Sequence, residues 1–216
     1  RADAADTWIV FTTDHGLAFP HMKSTLYDDG IGVSLILQYA GNPLAGKATD
    51  ALVSQLDVFP TLCDLAGLEK PAWLEGISLK PLLHGETDSI RDHLFAELNY
   101  HSSYEPQRCI RTERYKLIQR WPQDLDGVIP NHTDKSPSRD FLYENGWLNT
   151  VPEPEALYDL YFDPNERTNR IEDPPYQEIA RELKEKLQAW MEATNDPLLQ
   201  GRVPTPNGYR LYENQP

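Results

Sequence analysis

Thr7-Trp8-Ile9-Val10-Phe11-Thr12-Thr13 is a continuous run of β-branched and aromatic residues that leads directly into Asp14-His15-Gly16. Such a run is typical of a strand that is buried on both faces of a parallel sheet. Open α/β sheets bind ligands just beyond the carboxyl ends of these strands, which is where Asp14 and His15 lie. Gly16 lets the chain turn away sharply where a Cβ atom would crowd a ligand. The sequence therefore predicts an α/β fold with a metal site at the edge of its sheet.

The Asp-His-Gly motif also has a simpler interpretation. Asp and Gly after a strand often form only a turn, and a single histidine can be an ordinary loop residue. Two further candidate cations, His21 and Lys23, follow within nine residues of Asp14. A metal and a lysine together can neutralise an anionic substrate, but Lys23 could equally be an ordinary solvated loop lysine.

Composition excludes some classes of function. The 216 residues are 39% hydrophobic with a formal net charge of -14, which is globular but would repel a nucleic-acid backbone. No apolar run reaches the roughly 18 residues that a membrane span needs. One local cluster is basic and can override the overall charge over short distances. Its members are Arg108, Arg111, Arg114, Lys116 and Arg120, although alternating charges on an exposed strand would give the same pattern.

The first 92 residues have the features of an α/β unit. Residues 32–39 and 51–54 are predicted to be a second and a short third strand. A helix follows, with Asp57 as its N-cap and Gly67 ending it in the left-handed conformation. Residues 86–92 are polar and suit a domain boundary, which divides the chain into domains 1–92 and 93–216.

The second domain is predicted to be a small α+β unit. Residues 93–98, 109–119 and 155–160 are strand-like and indicate an antiparallel sheet. Residues 121–155 are rich in Pro, Asn, Asp and Gly, which predicts a long loop of a kind that is often functional. Residues 176–194 have apolar side chains at helical spacing and predict a terminal helix that packs on the core.

Several short motifs occur in a fixed order along the chain. They are Thr13-Asp14-His15-Gly16, Lys23 with Tyr27, Leu56-Asp57-Val58-Phe59-Pro60-Thr61-Leu62, Leu65-Ala66-Gly67, Gly76-Ile77-Ser78-Leu79, Pro81-Leu82-Leu83, Arg111-Thr112-Glu113-Arg114-Tyr115-Lys116-Leu117-Ile118, Leu157-Tyr158-Asp159-Leu160 and Asp163-Pro164-Asn165-Glu166. This ordered set closely resembles the C-terminal part of a type I sulfatase of the alkaline phosphatase-like superfamily. The resemblance covers nearly the whole chain. It implies an α/β fold: the C-terminal portion of a mixed sheet flanked by helices, then a small antiparallel sheet with a C-terminal helix.

The resemblance also implies roles for the residues after the first strand. Asp14 and His15 would supply half of a divalent metal site, and Lys23 would be catalytic through contact with the sulfate group. Calcium is the preferred candidate, with manganese or zinc as alternatives because imidazole suits transition metals. His21 would orient the leaving group, or it is simply a surface histidine.

The family's nucleophile is absent from the chain. Type I sulfatases use a formylglycine made from the first residue of a C/S-x-P-x-R motif, and two further metal aspartates follow their first strand. Residues 135–139, Lys-Ser-Pro-Ser-Arg, imitate the end of this motif, but Lys135 occupies the nucleophile position and the segment falls in the predicted loop. We therefore expect the formylglycine upstream, in an N-terminal part of the same sulfatase, and we expect this chain to be inactive alone.

Glu97, His101 and Arg108 resemble the heparan N-sulfatase (sulfamidase) branch. Together with Arg111 and His21 they are the candidates for substrate binding. The implied substrate is a sulfated sugar such as a unit of heparan sulfate, with either an ester or an N-sulfate linkage. Salt bridges within the small sheet would explain all of these except His21 equally well.

Two other functions fit the sequence. A phosphodiesterase or phosphonate hydrolase of the same superfamily remains open because of the imidazole of His15. A non-catalytic module that binds acidic glycans would use the basic strand with Tyr100, Tyr104 and Trp121. The family resemblance implies an extracytoplasmic location, whether periplasmic, secreted or lysosomal, and the sequence contains no signal for an oligomeric state.

Overall fold

The structure is a computed structural model that describes residues 7–121, 128–129 and 132–208. The strands in this part of the chain are β1 (Ile9–Thr12), β2 (Leu35–Gln38), β3 (His93–Tyr100), β4 (Tyr104–Thr112), β5 (Tyr115–Arg120) and β6 (Glu155–Asp159). The α-helices are α1 (Asp28–Ile31), α2 (Val58–Ala66), α3 (Lys80–Leu83), α4 (Pro137–Glu144) and α5 (Gln177–Ala193). No helix among the described residues is long and apolar enough to cross a membrane.

Contacts between residues divide the chain into two compact units. The first contains the chain up to Asp14 together with Val33–Leu94, and the second contains His15–Gly32 and the chain from Phe95 onward. The segment 15–32 therefore groups with the second half of the chain. The domain boundary at residues 92 and 93 stays a prediction.

The first strand is not the buried parallel strand that its sequence favours. β1 pairs antiparallel with β2, and Phe11 lies opposite Ile36. Within the described residues, this sheet contains these two strands alone. Ile9, Phe11 and Ile36 are 56%, 53% and 60% exposed. A two-stranded ribbon cannot bury both of its faces, so the apolar side chains of β1 stay accessible in this unit.

The predicted third strand, residues 51–54, is also wrong. These residues form no strand, and the Leu52 carbonyl accepts a hydrogen bond from Arg91 Nη1 at 3.1 Å. Because a charged side chain takes this carbonyl, it does not serve a neighbouring strand. The segment is instead tied to the loop that precedes β3.

Helix α2 ends as predicted but begins differently. Gly67 has φ 66°, the left-handed conformation expected of a helix C-cap. The Asp57 side chain does not cap α2; it is fully buried and binds the guanidinium of Arg91 through two contacts of 2.6 Å. Ser54 and Asp57 form a capping box around a short 3-10 turn ahead of the helix.

The sheet of the second unit has the order β3-β4-β5-β6, with β4, β5 and β6 antiparallel. The strand-like stretch 109–119 is two strands, joined by a tight turn at Glu113 and Arg114. The predicted antiparallel sheet is therefore confirmed, and its central hairpin lies inside one continuous sequence pattern.

The two faces of this sheet bury different partners. Ile110, Leu117 and Leu157 pack against α5 through residues such as Leu187, which is completely buried. Their immediate neighbours Cys109, Ile118 and Tyr158 point to the other face and pack against Leu26. Alternation along the strands thus places α5 on one face and the segment 15–32 on the other.

The region 121–155 is only partly loop. Its described residues include α4 and a short 3-10 turn, Trp147–Asn149. The Ser136 side chain accepts a hydrogen bond from the Arg139 backbone and caps α4, so residues 135–139 begin a helix, contrary to expectation. Pro137 favours this start because its missing N–H and fixed φ suit the first turn. The terminal helix α5 agrees with the predicted range 176–194.

Candidate functional site

Gly16 brings the chain back against its own next helix. Its backbone N–H donates to the Gly30 carbonyl at 3.0 Å, and a Cβ atom at Gly16 would lie 1.8 Å from the Asp29 carbonyl oxygen. A side chain cannot occupy this position without moving the backbone. The close approach of the Asp29 carbonyl therefore explains the glycine. From the sequence, the expected reason was that a Cβ atom would crowd a ligand.

His15 has a defined ring orientation. Its Nδ1 atom lies 2.6 Å from the Gly16 carbonyl oxygen, an acceptor to which Nδ1–H can donate. An imidazole oriented by such a contact is of the kind that binds metals. Asp14, a suitable carboxylate donor, is the last residue of its segment in the first unit. No group of three or more potential metal ligands occurs within the described residues, so the metal site stays a prediction.

Lys23 is held by a carboxylate. Its Nζ atom lies 2.8 Å from Asp134 Oδ2, and the lysine side chain is 22% exposed. This hydrogen bond from Lys23 lowers the pKa of Asp134. The ammonium group therefore already faces an oxyanion from the region between β5 and β6.

Two histidines and a glutamate lie next to this pair. The Nδ1 atoms of His101 and His132 are 3.4 Å apart, and Ser102 Oγ lies 3.4 Å from both. On its other side, His132 Nε2 is 3.3 Å from Glu105 Oε2. Burial lowers the pKa of His101, and the charges of Lys23 and His15 lower it further.

Burial changes the ordinary charge states of this cluster. The pKa of His132 falls to about 4 because of burial, assisted by the neighbouring His101. The pKa of Glu105 rises to about 7 because of burial, which outweighs the opposing effect of Arg120. At neutral pH His132 is thus uncharged, and Glu105 is poised between its two protonation states. Shifts of this size in a cleft mark candidate functional groups.

Lys23, Glu105 and His132 line a cavity of about 110 Å³ in the second unit. His21, Lys23 and Tyr27 contribute from the segment 15–32, while Glu105 and Arg120 contribute from β4 and β5. His132 and Trp147 complete the wall from the region between β5 and β6.

His21 and Arg120 are both fixed by aromatic neighbours. The His21 ring lies 5.0 Å from the Trp147 ring between centroids, and the residue has a positive φ of 64°. Burial and the charge of Arg167 lower the pKa of His21. Arg120 Nη2 donates to the Tyr27 hydroxyl at 3.1 Å. The cavity thus combines basic groups with ring faces.

Arg108 and Glu97 lie away from this cavity. The Arg108 side chain is completely buried, and its guanidinium binds Asp196 through contacts of 2.5 and 2.9 Å. It also donates to the Leu98 carbonyl, while Glu97, about half exposed, lies 3.4 Å from its Nε atom. This geometry favours a structural role for Arg108; the substrate-binding role of both residues stays a prediction.

Arg111 is likewise engaged within the fold. Its Nη2 atom lies 2.9 Å from Asp28 Oδ2, and Asp28 also contacts the buried ammonium of Lys116. Of the sequence-predicted residues in the second unit, His21 and Lys23 line the cavity, and His101 contacts His132, which also lines it. Glu97, Arg108 and Arg111 are not among the residues that line it.

Sequence reasoning missed Glu105, His132, Asp134 and Trp147. The last three lie within residues 121–155, whose length and composition did mark it as a candidate functional region. Glu105 carries no such signal, because it is one of 34 acidic residues and only burial distinguishes it.

The chain is similar in sequence to known sulfatases. Residues 14–137 match the family described as N-sulphoglucosamine sulphohydrolase, C-terminal. The chain is 29% identical to an ulvan-active sulfatase of Formosa agariphila, over 98% of this chain and 44% of the relative. It is 27% identical to human N-sulphoglucosamine sulphohydrolase, over 89% of this chain and 43% of that protein.

Solved structures agree with these matches. A structure of a 2-O glycosaminoglycan sulfatase superimposes with a TM-score of 0.70 at 28% identity and covers 94% of this chain. The chain covers 40% of that structure and less than half of each curated relative above.

Proposed function

Because this chain belongs to the N-sulphoglucosamine sulphohydrolase C-terminal family, we propose that the complete protein hydrolyses sulfate ester or N-sulfate groups on a sugar. In this proposal the chain supplies part of the catalytic site. The relatives described above are sulfatases, and the chain adopts the alkaline phosphatase-like sulfatase fold.

The observation that carries the proposal is the contact of Lys23 with an oxyanion at the cavity. The Lys23 Nζ atom lies 2.8 Å from the Asp134 carboxylate, which supports the proposal that this ammonium binds a sulfate oxygen. Arg120 and Lys23 bring positive charge to this cavity, although the chain as a whole has a formal net charge of -14. Fixed cations at a reacting sulfate stabilise the negative charge that develops during hydrolysis.

We further propose that Asp14 and His15 provide two ligands of a divalent cation, with calcium preferred. Such a metal would act as a Lewis acid on the sulfate oxygens. The remaining ligands and the formylglycine nucleophile would come from the N-terminal part of the same sulfatase. The contact of His15 Nδ1 with the Gly16 carbonyl oxygen fixes the orientation of the ring, which supports the imidazole as a ligand.

The substrate proposal is a sulfated sugar, including an N-sulfoglucosamine unit of heparan sulfate. His21 lines the cavity and His101 contacts His132, which also lines it; these positions support their proposed role in substrate binding. An extracytoplasmic compartment, as the family resemblance implies, belongs to the same proposal.

The test uses the complete protein and measures sulfate release. N-sulfoglucosamine, glucosamine 6-sulfate and a 2-sulfated hexuronate serve as substrates. Lys23→Met should lower kcat/KM by about 100-fold or more, since it removes a charge that stabilises the transition state. Lys47→Met, at an exposed position in the first unit, is the matched control and should leave kcat/KM unchanged.

The alternatives give different results in the same assay. Faster turnover of a phosphate diester or phosphonate ester than of any sulfated sugar would transfer the assignment to the phosphonate hydrolase class. Sugar binding without turnover of either class would favour the glycan-binding module. Sulfate release by residues 1–216 alone would contradict the upstream nucleophile.

A further inference from the structure

Four buried polar atoms belong to residues that line the cavity and make no hydrogen bond within the described part of the chain. They are Ser24 Oγ, Gln107 Oε1, His132 Nε2 and Trp147 Nε1. Buried polar groups in folded proteins nearly always have partners. A group of unsatisfied atoms around one cavity therefore indicates that a ligand completes their hydrogen bonds.

The chemistry of these atoms selects the kind of ligand. Trp147 Nε1 can only donate, Gln107 Oε1 can only accept, and the Ser24 hydroxyl and His132 imidazole can do either. A sulfate ion only accepts hydrogen bonds and would leave Gln107 Oε1 unsatisfied. Sugar hydroxyl groups both donate and accept, so they match the whole set.

The cavity walls also suit a sugar in shape and surface. The rings of His21 and Trp147 form a partly apolar side against which the carbon–hydrogen face of a sugar can pack. The volume of about 110 Å³ is well below the 300–1,000 Å³ of typical drug-sized sites. We therefore expect it to receive one edge of a single sugar ring.

Glu105 is the one carboxyl group among the described residues that line the cavity. The other charged or titratable groups that line the cavity are Arg120 from β5, His132 from the region after β5, and His21, Lys23 and Tyr27 from the segment 15–32. Just beyond the lining, Asp134 pairs with Lys23 and His101 contacts His132. An ionised carboxylate here would repel an anionic ligand at Lys23. A neutral carboxylic acid would instead offer a hydroxyl donor to a sugar oxygen. His132 Nε2 lies 3.3 Å from Glu105 Oε2 without a hydrogen bond between them, so both groups face the same ligand.

We propose that Glu105, as a neutral carboxylic acid, and His132 bind the hydroxyl groups of a sugar ring whose sulfate group lies against Lys23. This proposal rests on the proposed function for the identity of the sulfated sugar. It assigns Glu105 and His132 to substrate specificity, and it makes binding depend on the proton of Glu105.

The pH dependence follows from the charge of this one group. Burial raises the pKa of Glu105 to about 7, so the carboxyl group is neutral below this pH and negative above it. If only the neutral form binds, KM rises by about tenfold for each pH unit above 7. His132, whose pKa is lowered to about 4, stays uncharged over this range and does not contribute.

The experiment compares Glu105→Gln with the unmodified complete protein between pH 6 and pH 9. KM and kcat are measured with N-sulfoglucosamine, and binding of inorganic sulfate is measured by calorimetry. Glutamine keeps the size of the side chain and stays neutral, so the rise of KM and of the sulfate Kd at alkaline pH should disappear. Glu113→Gln, at an exposed position in the β4–β5 turn, is the matched control and should keep the rise.

His132→Gln tests the hydrogen-bonding half of the proposal. We expect KM for N-sulfoglucosamine to increase about tenfold, which corresponds to one lost hydrogen bond, with the inorganic sulfate Kd unchanged. An alkaline rise that persists in Glu105→Gln, or equal loss of sulfate and sugar binding in His132→Gln, would overturn the proposal. If the unmodified protein releases no sulfate, the proposed function fails, and the calorimetric pH profile still tests Glu105.

Discussion

Arg108 is a completely buried charged residue, and its environment explains why its charge is tolerated. Its guanidinium forms two hydrogen bonds with Asp196 and others with backbone carbonyls of Leu98 and Gln107. Burial opposes ionisation of Asp196, but the hydrogen bonds from Arg108 and the Leu198 backbone outweigh it and lower the carboxyl pKa. A buried charge of this kind is stable only while its partner is present.

Replacing Arg108 tests whether it serves the fold or the substrate. Arg108→Met leaves the Asp196 carboxylate buried without its cation, and we expect the free energy of unfolding to fall by about 3–5 kcal/mol in urea titrations. KM of the folded fraction should not change. Arg181→Met, on the exposed side of α5, is the control and should have little effect on unfolding. If Arg108→Met is stable but has a raised KM, Arg108 binds substrate and its role is not structural.

At the residue scale, the sequence could identify chemistry but not burial. Lys23 and His21 could be identified because they follow a recognisable motif. In the structure both side chains line the cavity. Arg108 is a substrate candidate by its resemblance to the sulfamidase branch, and its sequence position does not reveal that the side chain is completely buried. Glu105 was missed for the same reason: burial raises its pKa, and the residues that bury it are distant in the sequence.

The segment 15–32 is attached to the sheet by a buried charge network. Lys116 on β5 is fully buried; its Nζ atom binds the Leu26 carbonyl at 3.0 Å and contacts Asp28. Glu166 lies 3.1 Å from the same atom and accepts a hydrogen bond from the Asp28 backbone at 2.5 Å. This network positions the segment that carries His21 and Lys23.

Removing the central cation should loosen this segment. In Lys116→Met, the Asp28 and Glu166 carboxylates lose their shared partner, and we expect a loss of about 3–5 kcal/mol in the free energy of unfolding. Native-state hydrogen exchange should show faster exchange of the amides of Gly30 and Ile31 than in the unmodified protein. Lys70→Met, at an exposed ion pair of the first unit, should leave their exchange unchanged. Unchanged protection in Lys116→Met would show that apolar contacts of Leu26 hold the segment alone.

At the element scale, the periodicity of apolar residues predicted the helix and strands whose side chains pack in the core. Helix α5 follows from its apolar stripe, and the antiparallel sheet follows from alternation in residues 109–119 and 155–160. The turn at Glu113 and Arg114 was not visible, since both residues fit an exposed strand. The predicted third strand at residues 51–54 does not form. Arg91, nearly forty residues later, donates a hydrogen bond to the Leu52 carbonyl instead.

At the scale of the whole molecule, the first unit keeps an apolar face that its own described residues leave exposed. Phe11 and Ile36 are opposite each other in the β1–β2 register, and Ile9 lies two residues from Phe11 on the same face. All three are more than half exposed. The sequence of β1 is that of a buried strand, and this conflict supports the proposal that the N-terminal part of the same sulfatase covers this face.

Phe11→Ser distinguishes a covered face from an exposed one. In the complete protein, we expect a loss of about 3–5 kcal/mol in the free energy of unfolding, because a buried aromatic side chain is removed. In residues 1–216 alone, the same change should have a small effect, since the side chain is 53% exposed there. Phe162→Ser, at a 72% exposed position in the second unit, should have a small effect in both forms. Urea unfolding of the six proteins measures the difference. A small effect of Phe11→Ser in the complete protein would mean that this face stays in solvent, and the proposed N-terminal partner would have to bind elsewhere.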